Sequence, residues 1–162
     1  MTTIAFDGDT LAVESGITLE DGSTDLVCQS KFYALPGRYV AIAGNMTFVD
    51  DIVKWIKEGA HPEDTPNGSW TVVVFNVKRK KAYEYVSNSY KRSLPLECKV
   101  PYAAGTGGKV ALGAMAAGAD AIDAVKIACK YDAYSVLPVF SNSVINGEIN
   151  TSKEPFDPEN RV

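Results

Sequence analysis

Residues 1–14 read MTTIAFDGDTLAVE, which is two β-prone runs on either side of a tight turn. The runs are Thr3–Phe6 and Thr10–Glu14, and the turn signal Asp7-Gly8-Asp9 between them is typical of a β-hairpin. Thr2 lies directly before the first run and directly after Met1. If Met1 is removed, Thr2 carries both a hydroxyl and a free α-amine with a pKa of about 8, which together can act as a nucleophile and its base. A threonine at this position more often only favours removal of the methionine, so the hypothesis needs support from the rest of the chain.

The composition is that of one ordinary globular domain. Of the 162 residues, 46% are apolar and 22% are charged, and the chain is long enough to bury a core without disulfides. The formal net charge of −4 argues against a nucleic-acid-binding protein. Lys78–Lys81 is a local basic cluster, but β-prone runs at Trp70–Val77 and Ala82–Val86 flank it, so we predict a solvated hairpin turn. We expect a single domain over residues 1–150 and a loosely held tail at 151–162.

The cysteines and the apolar runs argue against several other classes. Cys28, Cys98 and Cys129 are widely spaced and have only His61 as an imidazole partner, so the sequence predicts neither a zinc site nor a disulfide framework. We expect no cofactor and no metal. No run approaches the roughly 20 apolar residues that span a bilayer, and the start lacks the pattern of a secretory signal. We therefore predict a cytoplasmic protein that does not enter a membrane.

The hydrophobic pattern predicts strands and one helix in the first half, then a hairpin, two helices and a final strand. The apolar positions of the first helix have a spacing of three and four residues, and Asp120 is a typical N-cap for the last helix. This order favours an α+β protein with helices that cover the faces of sheets. The predicted strands after the first hairpin are Asp25–Cys28, Phe32–Leu35, Arg38–Ala43, Trp70–Val77, Ala82–Val86 and Leu137–Val144; the helices contain Val49 to Ile56, Lys109 to Ala117, and Ile122 to Cys129.

The glycine cluster Gly105-Thr106-Gly107-Gly108 does not match either nucleotide-binding loop. A Walker loop needs glycine where Ala103 stands and serine or threonine where Val110 stands, and the dinucleotide fingerprint also ends on Val110. The small residues therefore favour a loop and a helix start that approach another segment closely. The Thr106 hydroxyl lies at that approach, where it could meet an anion or an amine.

Three charged residues stand at positions that are open to two interpretations. Lys31 interrupts a β-prone region, and a strand lysine usually points to water. Buried beside a hydroxyl, however, it would stabilise an alkoxide and would need an acid partner, for which Glu14 is a candidate. Asp132 follows a helix C-terminus, where a carboxylate is unfavourable with respect to the helix dipole unless a specific partner holds it. An exposed charge remains the alternative for Glu14 and Asp132.

Several short motifs follow one another in order along the chain. They are Met1-Thr2-Thr3-Ile4, Ala12-Val13-Glu14-Ser15, Lys31 followed by the strand Arg38–Gly44, Gly105-Thr106-Gly107-Gly108, and Tyr131-Asp132-Ala133-Tyr134-Ser135. Taken in this order, they resemble the motifs of the proteasome β-subunit and HslV family, whose members are N-terminal nucleophile (Ntn) hydrolases. The resemblance covers roughly residues 2 to 140 and looks closest to short single-domain HslV-like forms, including those of bacteriophages. It implies a four-layer αββα sandwich, in which two antiparallel sheets pack face to face with helices outside.

The resemblance also implies a role for each matching residue. In the implied mechanism, the amine of Thr2 takes the proton of its own hydroxyl, Lys31 and backbone donors stabilise negative charge, and water hydrolyses the ester that forms. The matches are Thr2 for the nucleophile, Glu14 and Lys31 for the acid and lysine that tune it, Thr106, Asp132 and Ser135 for the groups around the α-amine, and Gly44, after Ala43, for the backbone of the oxyanion site.

The chain departs from the family pattern at three of these positions. Glu14 stands in place of the usual aspartate, Thr106 in place of serine, and Val136 where a glycine commonly follows the serine. The first two changes preserve the functional group.

The predicted protein is a threonine-type peptidase of the cytoplasm, or of the host cytoplasm if it is viral, that acts as a homo-oligomer on a peptide or protein substrate. HslV-like members work beside an ATP-driven unfoldase, and the sequence leaves open whether this chain does. Two alternatives remain. A chain that keeps Met1 would be a catalytically silent proteasome-fold scaffold, or a viral factor that binds a host component. A nucleotide-binding module has little support because both loop templates fail.

Overall fold

The computed structural model describes residues 2–18, 24–27, 31–44, 46–88, 94–145 and 148–152. Met1, Cys28 and residues 153–162 of the predicted tail lie outside the described residues. The strands are β1 (Thr3–Phe6), β2 (Leu11–Glu14), β3 (Gly16–Thr18), β4 (Thr24–Val27), β5 (Phe32–Leu35), β6 (Arg38–Gly44), β7 (Trp70–Asn76), β8 (Lys81–Ser87), β9 (Leu96–Glu97), β10 (Tyr102–Gly105), β11 (Val139–Ile145) and β12 (Glu148–Ser152). The helices are α1 (Val49–Lys57), α2 (Gly108–Ala116) and α3 (Ala121–Tyr131).

Most of the described strands belong to two five-stranded antiparallel sheets. The first sheet has the order β10-β1-β2-β11-β12, and the second has the order β5-β6-β7-β8-β9. Strands β3 and β4 pair separately. In the first sheet, β1 is central to the candidate site because it pairs with β2 on one side and with β10 on the other.

The alternation of side chains along the strands divides the molecule into four layers. One face of each sheet contributes to a shared apolar core, the opposite face of the first sheet packs against α2 and α3, and the opposite face of the second sheet packs against α1. The predicted four-layer αββα sandwich is therefore confirmed. The shared core includes Ile4, Phe6, Leu11 and Val13 with Ala41, Val73 and Phe75; Ala5, Ala12 and Val139 face α2 and α3; Val40, Ile42, Val72 and Val74 face α1.

Several local predictions are confirmed. Strands β1 and β2 form the predicted hairpin, with Ile4 opposite Val13. Residues 77–80 form the turn between β7 and β8, as expected for the basic cluster. The side chain of Asp120 accepts a hydrogen bond of 2.8 Å from the backbone nitrogen of Asp123 and caps α3. Among the described residues, no helix has the length and apolar character that crossing a membrane requires.

The structure also contains strands that the sequence analysis did not predict. Strand β10 precedes the glycine cluster and pairs with β1, so that Thr3 lies opposite Gly105. Strand β12 pairs with β11 and includes residues 151 and 152. The domain boundary that we predicted after residue 150 therefore falls inside a strand.

The glycine cluster brings the end of β10 and the start of α2 against the first residues of β1. Gly105 has a φ of +89°, and a Cβ atom at this position would lie 1.7 Å from the backbone oxygen of Thr2. A Cβ atom at Gly107 would lie 2.0 Å from Thr3 Oγ1. A nucleotide-binding loop would leave the space beside these glycines for a phosphate. Here the first residues of β1 fill that space.

We expect Gly105→Ala to lower the free energy of unfolding by about 2–4 kcal/mol, because the methyl group collides with backbone and the positive φ is unfavourable for alanine. Gly113→Ala is the matched control, since Gly113 lies within α2 and a Cβ atom there meets nothing within 4 Å. This change should stabilise the protein by up to about 1 kcal/mol. Urea unfolding of both variants measures the difference, and equal effects would contradict the close approach of β10 to Thr2.

Candidate active site

Lys31 and Glu14 form a buried ion pair between the two sheets. Glu14 ends β2 in the first sheet, and Lys31 directly precedes β5 in the second. Lys31 is 2% exposed and Glu14 is fully buried, with Lys31 Nζ against Glu14 Oε1. The interpretation of either residue as an exposed surface charge is therefore wrong. A buried charge of this kind is tolerated only with a partner of opposite sign and with hydrogen bonds for its other polar atoms.

The ammonium of Lys31 also contacts the predicted nucleophile. Its Nζ donates a hydrogen bond of 2.8 Å to Thr2 Oγ1, and Thr2 is 1% exposed. An ammonium has three protons and no acceptor, so in this contact the Thr2 oxygen is the acceptor. A positive charge at this distance stabilises a Thr2 oxygen that becomes negative.

The second oxygen of the Glu14 carboxylate binds backbone rather than side chains. Glu14 Oε2 accepts hydrogen bonds from the backbone nitrogens of Gly16, at 2.7 Å, and Val136, at 2.9 Å. A Cβ atom at Gly16 would lie 3.0 Å from the Val136 side chain. The departure at Val136 is thus accommodated by a glycine on the facing segment. The sequence analysis missed both donors, because any residue except proline supplies a backbone N–H.

Asp132 holds two of the other predicted site residues. Its Oδ2 atom accepts a hydrogen bond of 2.8 Å from Thr106 Oγ1 and one of 2.6 Å from Ser135 Oγ. These hydroxyls are the specific partners that a carboxylate after a helix C-terminus was expected to need. Ser135 Oγ also lies 2.6 Å from Thr3 Oγ1, a buried hydroxyl that the sequence analysis did not single out.

A cleft of about 410 Å³ opens at Thr2. Gly44, which we predicted for the oxyanion site, lies in its wall at the end of β6 with a φ of +119°. A Cβ atom at Gly44 would lie 2.5 Å from the backbone oxygen of Ser69, so the strand requires glycine here. The described residues that line the cleft are Thr2, Ala43, Gly44, Ser69, Trp70, Thr71, Val86, Ser87, Asn88, Gly105 and Thr106.

All of the predicted side chains are thus brought to one end of β1. Thr2 lies in one network with Lys31 and Glu14, and Thr3 lies in a second network with Ser135 and Asp132. Thr106 joins the second network and lines the same cleft as Thr2. Within the described part of the chain, no three His, Cys, Asp or Glu side chains are grouped closely enough to hold a metal ion.

Cys129 lies close enough to both networks to respond to their charges. Burial is the largest cause that raises the pKa of its thiol to about 12; the negative charges of Glu14 and Asp132 act in the same direction, and the positive charge of Lys31 opposes them. The thiol is therefore protonated at neutral pH and is not a competing nucleophile.

Comparison with solved structures identifies the architecture. The chain superposes on BPH from Thiobacillus denitrificans in complex with epoxomicin, with a TM-score of 0.62, 21% identity, and coverage of 86% of this chain and 95% of that one. It superposes on the eukaryotic HslV from Trypanosoma brucei with a TM-score of 0.62, 17% identity, and coverage of 87% and 97%. The chain has an HslV- and proteasome-like Ntn-hydrolase fold. No model of a known family and no curated protein matches its sequence.

The buried ion pair of this Ntn-hydrolase fold predicts a strong coupling between Glu14 and Lys31. Glu14→Gln should lower the free energy of unfolding by about 3–5 kcal/mol because it leaves the Lys31 ammonium buried without a counter-charge. Lys31→Met should have a similar cost. In the double variant, the free energy of unfolding should fall by much less than the sum of the two single effects, since both charges are removed together.

Urea unfolding of the four proteins in this cycle provides the measurement. The matched control is Glu97→Gln, because Glu97 pairs with Lys81 on the surface, where both side chains are about half exposed. That change should cost less than about 1 kcal/mol. Additive effects at Glu14 and Lys31 would show that the pair is not coupled as the structure indicates.

The raised pKa of Cys129 predicts slow alkylation of the folded protein. A rise from an ordinary value of about 8.5 to about 12 lowers the thiolate fraction at pH 8 on the order of 10³-fold. Pulse labelling with iodoacetamide, followed by mass spectrometry of the Cys129 peptide, compares native protein with protein in urea. Equal labelling rates in the two states would contradict the burial of this thiol beside two carboxylates.

Proposed function

We propose that this chain is an N-terminal threonine hydrolase, a threonine-type peptidase that becomes active when the Met1–Thr2 bond is cleaved. The observation that supports this most directly is the buried ammonium of Lys31, which contacts the Thr2 hydroxyl and is held in place by Glu14. An ion pair in the core has a high desolvation cost. Placing it against a single threonine hydroxyl is chemically useful if that oxygen becomes negatively charged during the reaction.

In the proposed reaction, the free α-amine of Thr2 takes the proton of the Thr2 hydroxyl as Oγ1 attacks the carbonyl carbon of a peptide bond. Lys31 stabilises the developing charge on Oγ1, and backbone N–H groups near Gly44 stabilise the oxygen of the carbonyl. The protonated amine then gives its proton to the leaving nitrogen, which departs as an amine and leaves an ester on Thr2. Water, activated by the same α-amine, hydrolyses the ester and regenerates Thr2.

The two carboxylates act in this scheme as charge partners rather than as bases. Glu14 Oε1 is bound by Lys31, and Oε2 accepts from two backbone nitrogens. Asp132 Oδ2 accepts from the hydroxyls of Thr106 and Ser135. These contacts support the assignment of the general base to the α-amine.

The fold relatives support a substrate class and partners that belong to the same proposal. The T. denitrificans structure contains epoxomicin. We propose that the cleft at Thr2 receives a peptide or protein substrate in this chain. We further propose a cytoplasmic homo-oligomer, of which an ATP-driven unfoldase is a candidate partner because one of the similar structures is an HslV.

We expect the purified, untagged protein to begin at Thr2 and to react once, at that residue, with an electrophilic peptide such as a peptide epoxyketone. Thr2→Ser should retain a measurable reaction, because it keeps both hydroxyl and amine, and Thr2→Ala should abolish it. The Glu14→Gln/Lys31→Met double variant should react about 10²–10³-fold more slowly, since it keeps the site neutral but removes the charge that stabilises Oγ1.

Intact-mass measurement and N-terminal sequencing, with and without the peptide, read out both the first residue and the adduct. Lys81→Met is the matched control for the loss of a lysine, because Lys81 is exposed and pairs only at the surface. It should leave the labelling rate unchanged. A chain that retains Met1 and takes up no peptide would contradict the enzyme and favour the catalytically silent scaffold.

A further inference from the structure

Thr3 is a buried polar residue in an otherwise apolar strand. The other three residues of β1, Ile4, Ala5 and Phe6, are buried and apolar, and Thr3 is 0% exposed. A valine would have nearly the same shape without requiring a hydrogen-bond partner. The hydroxyl of Thr3 does have such a partner, Ser135 Oγ at 2.6 Å, which lies 132 residues away along the chain.

The direction of this hydrogen bond follows from counting protons. A serine hydroxyl has one proton, and Ser135 donates it to the Asp132 carboxylate, which is an acceptor. In the contact between Thr3 and Ser135, Ser135 must therefore accept and Thr3 must donate. The result is a directed chain of hydrogen bonds from Thr3 through Ser135 to Asp132.

The position of Thr3 is fixed by close packing as well as by this bond. A Cβ atom at Gly107 would lie 2.0 Å from Thr3 Oγ1 and 3.3 Å from the Cβ atom of Asp132. The absence of a side chain at Gly107 thus allows the start of α2 to pack against both Thr3 and Asp132, the two ends of the hydrogen-bonded chain. Thr3 is bonded directly to Thr2, so the chain begins at the residue that follows the nucleophile.

We propose that Thr3 is a positioning residue that acts through Ser135 on the charge of Asp132, and so tunes the α-amine of Thr2 as a base. This inference rests on the proposed function, because the amine exists only after Met1 is removed. Donation by Thr3 polarises the Ser135 hydroxyl and strengthens its bond to Asp132. The carboxylate, which binds Thr106 in the wall of the cleft at Thr2, then exerts a smaller negative potential on the α-amine, and the amine loses its proton at lower pH.

The test is the pH dependence of the rate at which an electrophilic peptide epoxyketone labels Thr2. Labelling requires the unprotonated amine, so the rate rises with pH through the pKa of that amine. Thr3→Val removes the donated proton at nearly constant shape and should move this rise to higher pH by roughly half a unit, while each molecule still takes one label. Thr3→Ser keeps the hydroxyl and should restore the wild-type profile.

Two further variants separate this role from a general loss of packing. Thr65→Val removes another buried hydroxyl, which donates to the backbone oxygen of Pro62 at 2.6 Å and does not line the cleft, and it should leave the profile unchanged. In a Ser135→Ala background, Thr3→Val should cause no additional shift, because the residue through which Thr3 acts is absent. If Thr3→Val does not fold, Thr3→Ala takes its place in both comparisons.

The possible failures can be told apart. Two results would overturn the role of Thr3 without contradicting the peptidase. In the first, wild-type protein is labelled and Thr3→Val has the same pH profile. In the second, Thr3→Val still shifts the profile in the Ser135→Ala background. A wild-type protein that begins with Met1 and takes no label would overturn the proposed function, and the role of Thr3 with it.

Discussion

The site depends on one ion pair, between Lys31 and Glu14, that is buried between the sheets. Taking both charges out of water has a cost of several kcal/mol for each, which their attraction offsets only if the remaining polar atoms are also bonded. Lys31 binds Glu14 and the Thr2 hydroxyl, and the second oxygen of Glu14 binds the backbone at Gly16 and Val136. The pair therefore links the first sheet, the start of β5 and the segment before β11, and their relative positions are fixed by the need to keep these bonds.

Small residues make that arrangement sterically possible. The ion pair can hold Thr2 only if the neighbouring segments leave room for the start of β1. Gly105 approaches the Thr2 backbone and Gly107 approaches Thr3 more closely than any side chain allows, while Gly16 leaves space for Val136. The same glycines that fail to form a nucleotide-binding loop thus place the Thr106 hydroxyl beside Asp132, in the wall of the cleft.

The parts of this structure that follow from local sequence were predictable, and those that depend on distant contacts were not. The β1–β2 hairpin, helix α1 and the cap of α3 each have a signal within a few residues. Strand β10 was missed because its Tyr-Ala-Ala-Gly sequence has low β-propensity, and it becomes a strand by pairing with β1, almost a hundred residues earlier. Resemblance to a family located Glu14 and Lys31, but the backbone donors to Glu14 have no signature in the sequence. The hydrogen bond between Thr3 and Ser135 was also hidden, because the two residues are far apart in the chain.

The occupied acceptors at the site favour a base, in the proposed mechanism, that is neither Glu14 nor Asp132. Thr2 Oγ1 accepts a hydrogen bond from Lys31. While Lys31 is an ammonium, it cannot take the proton of the Thr2 hydroxyl. Glu14 has both oxygens engaged, and Asp132 Oδ2 receives two hydroxyl donors. Transfer of the hydroxyl proton to either carboxylate would remove the negative charge that holds Lys31 or Ser135 in place. The α-amine of Thr2 avoids this conflict, because cleavage of the Met1–Thr2 bond releases a base next to the hydroxyl and needs no proton transfer to Glu14 or Asp132. A site whose ammonium and carboxylates are already held by partners among the described residues is one in which cleavage of a single peptide bond can switch on a reaction.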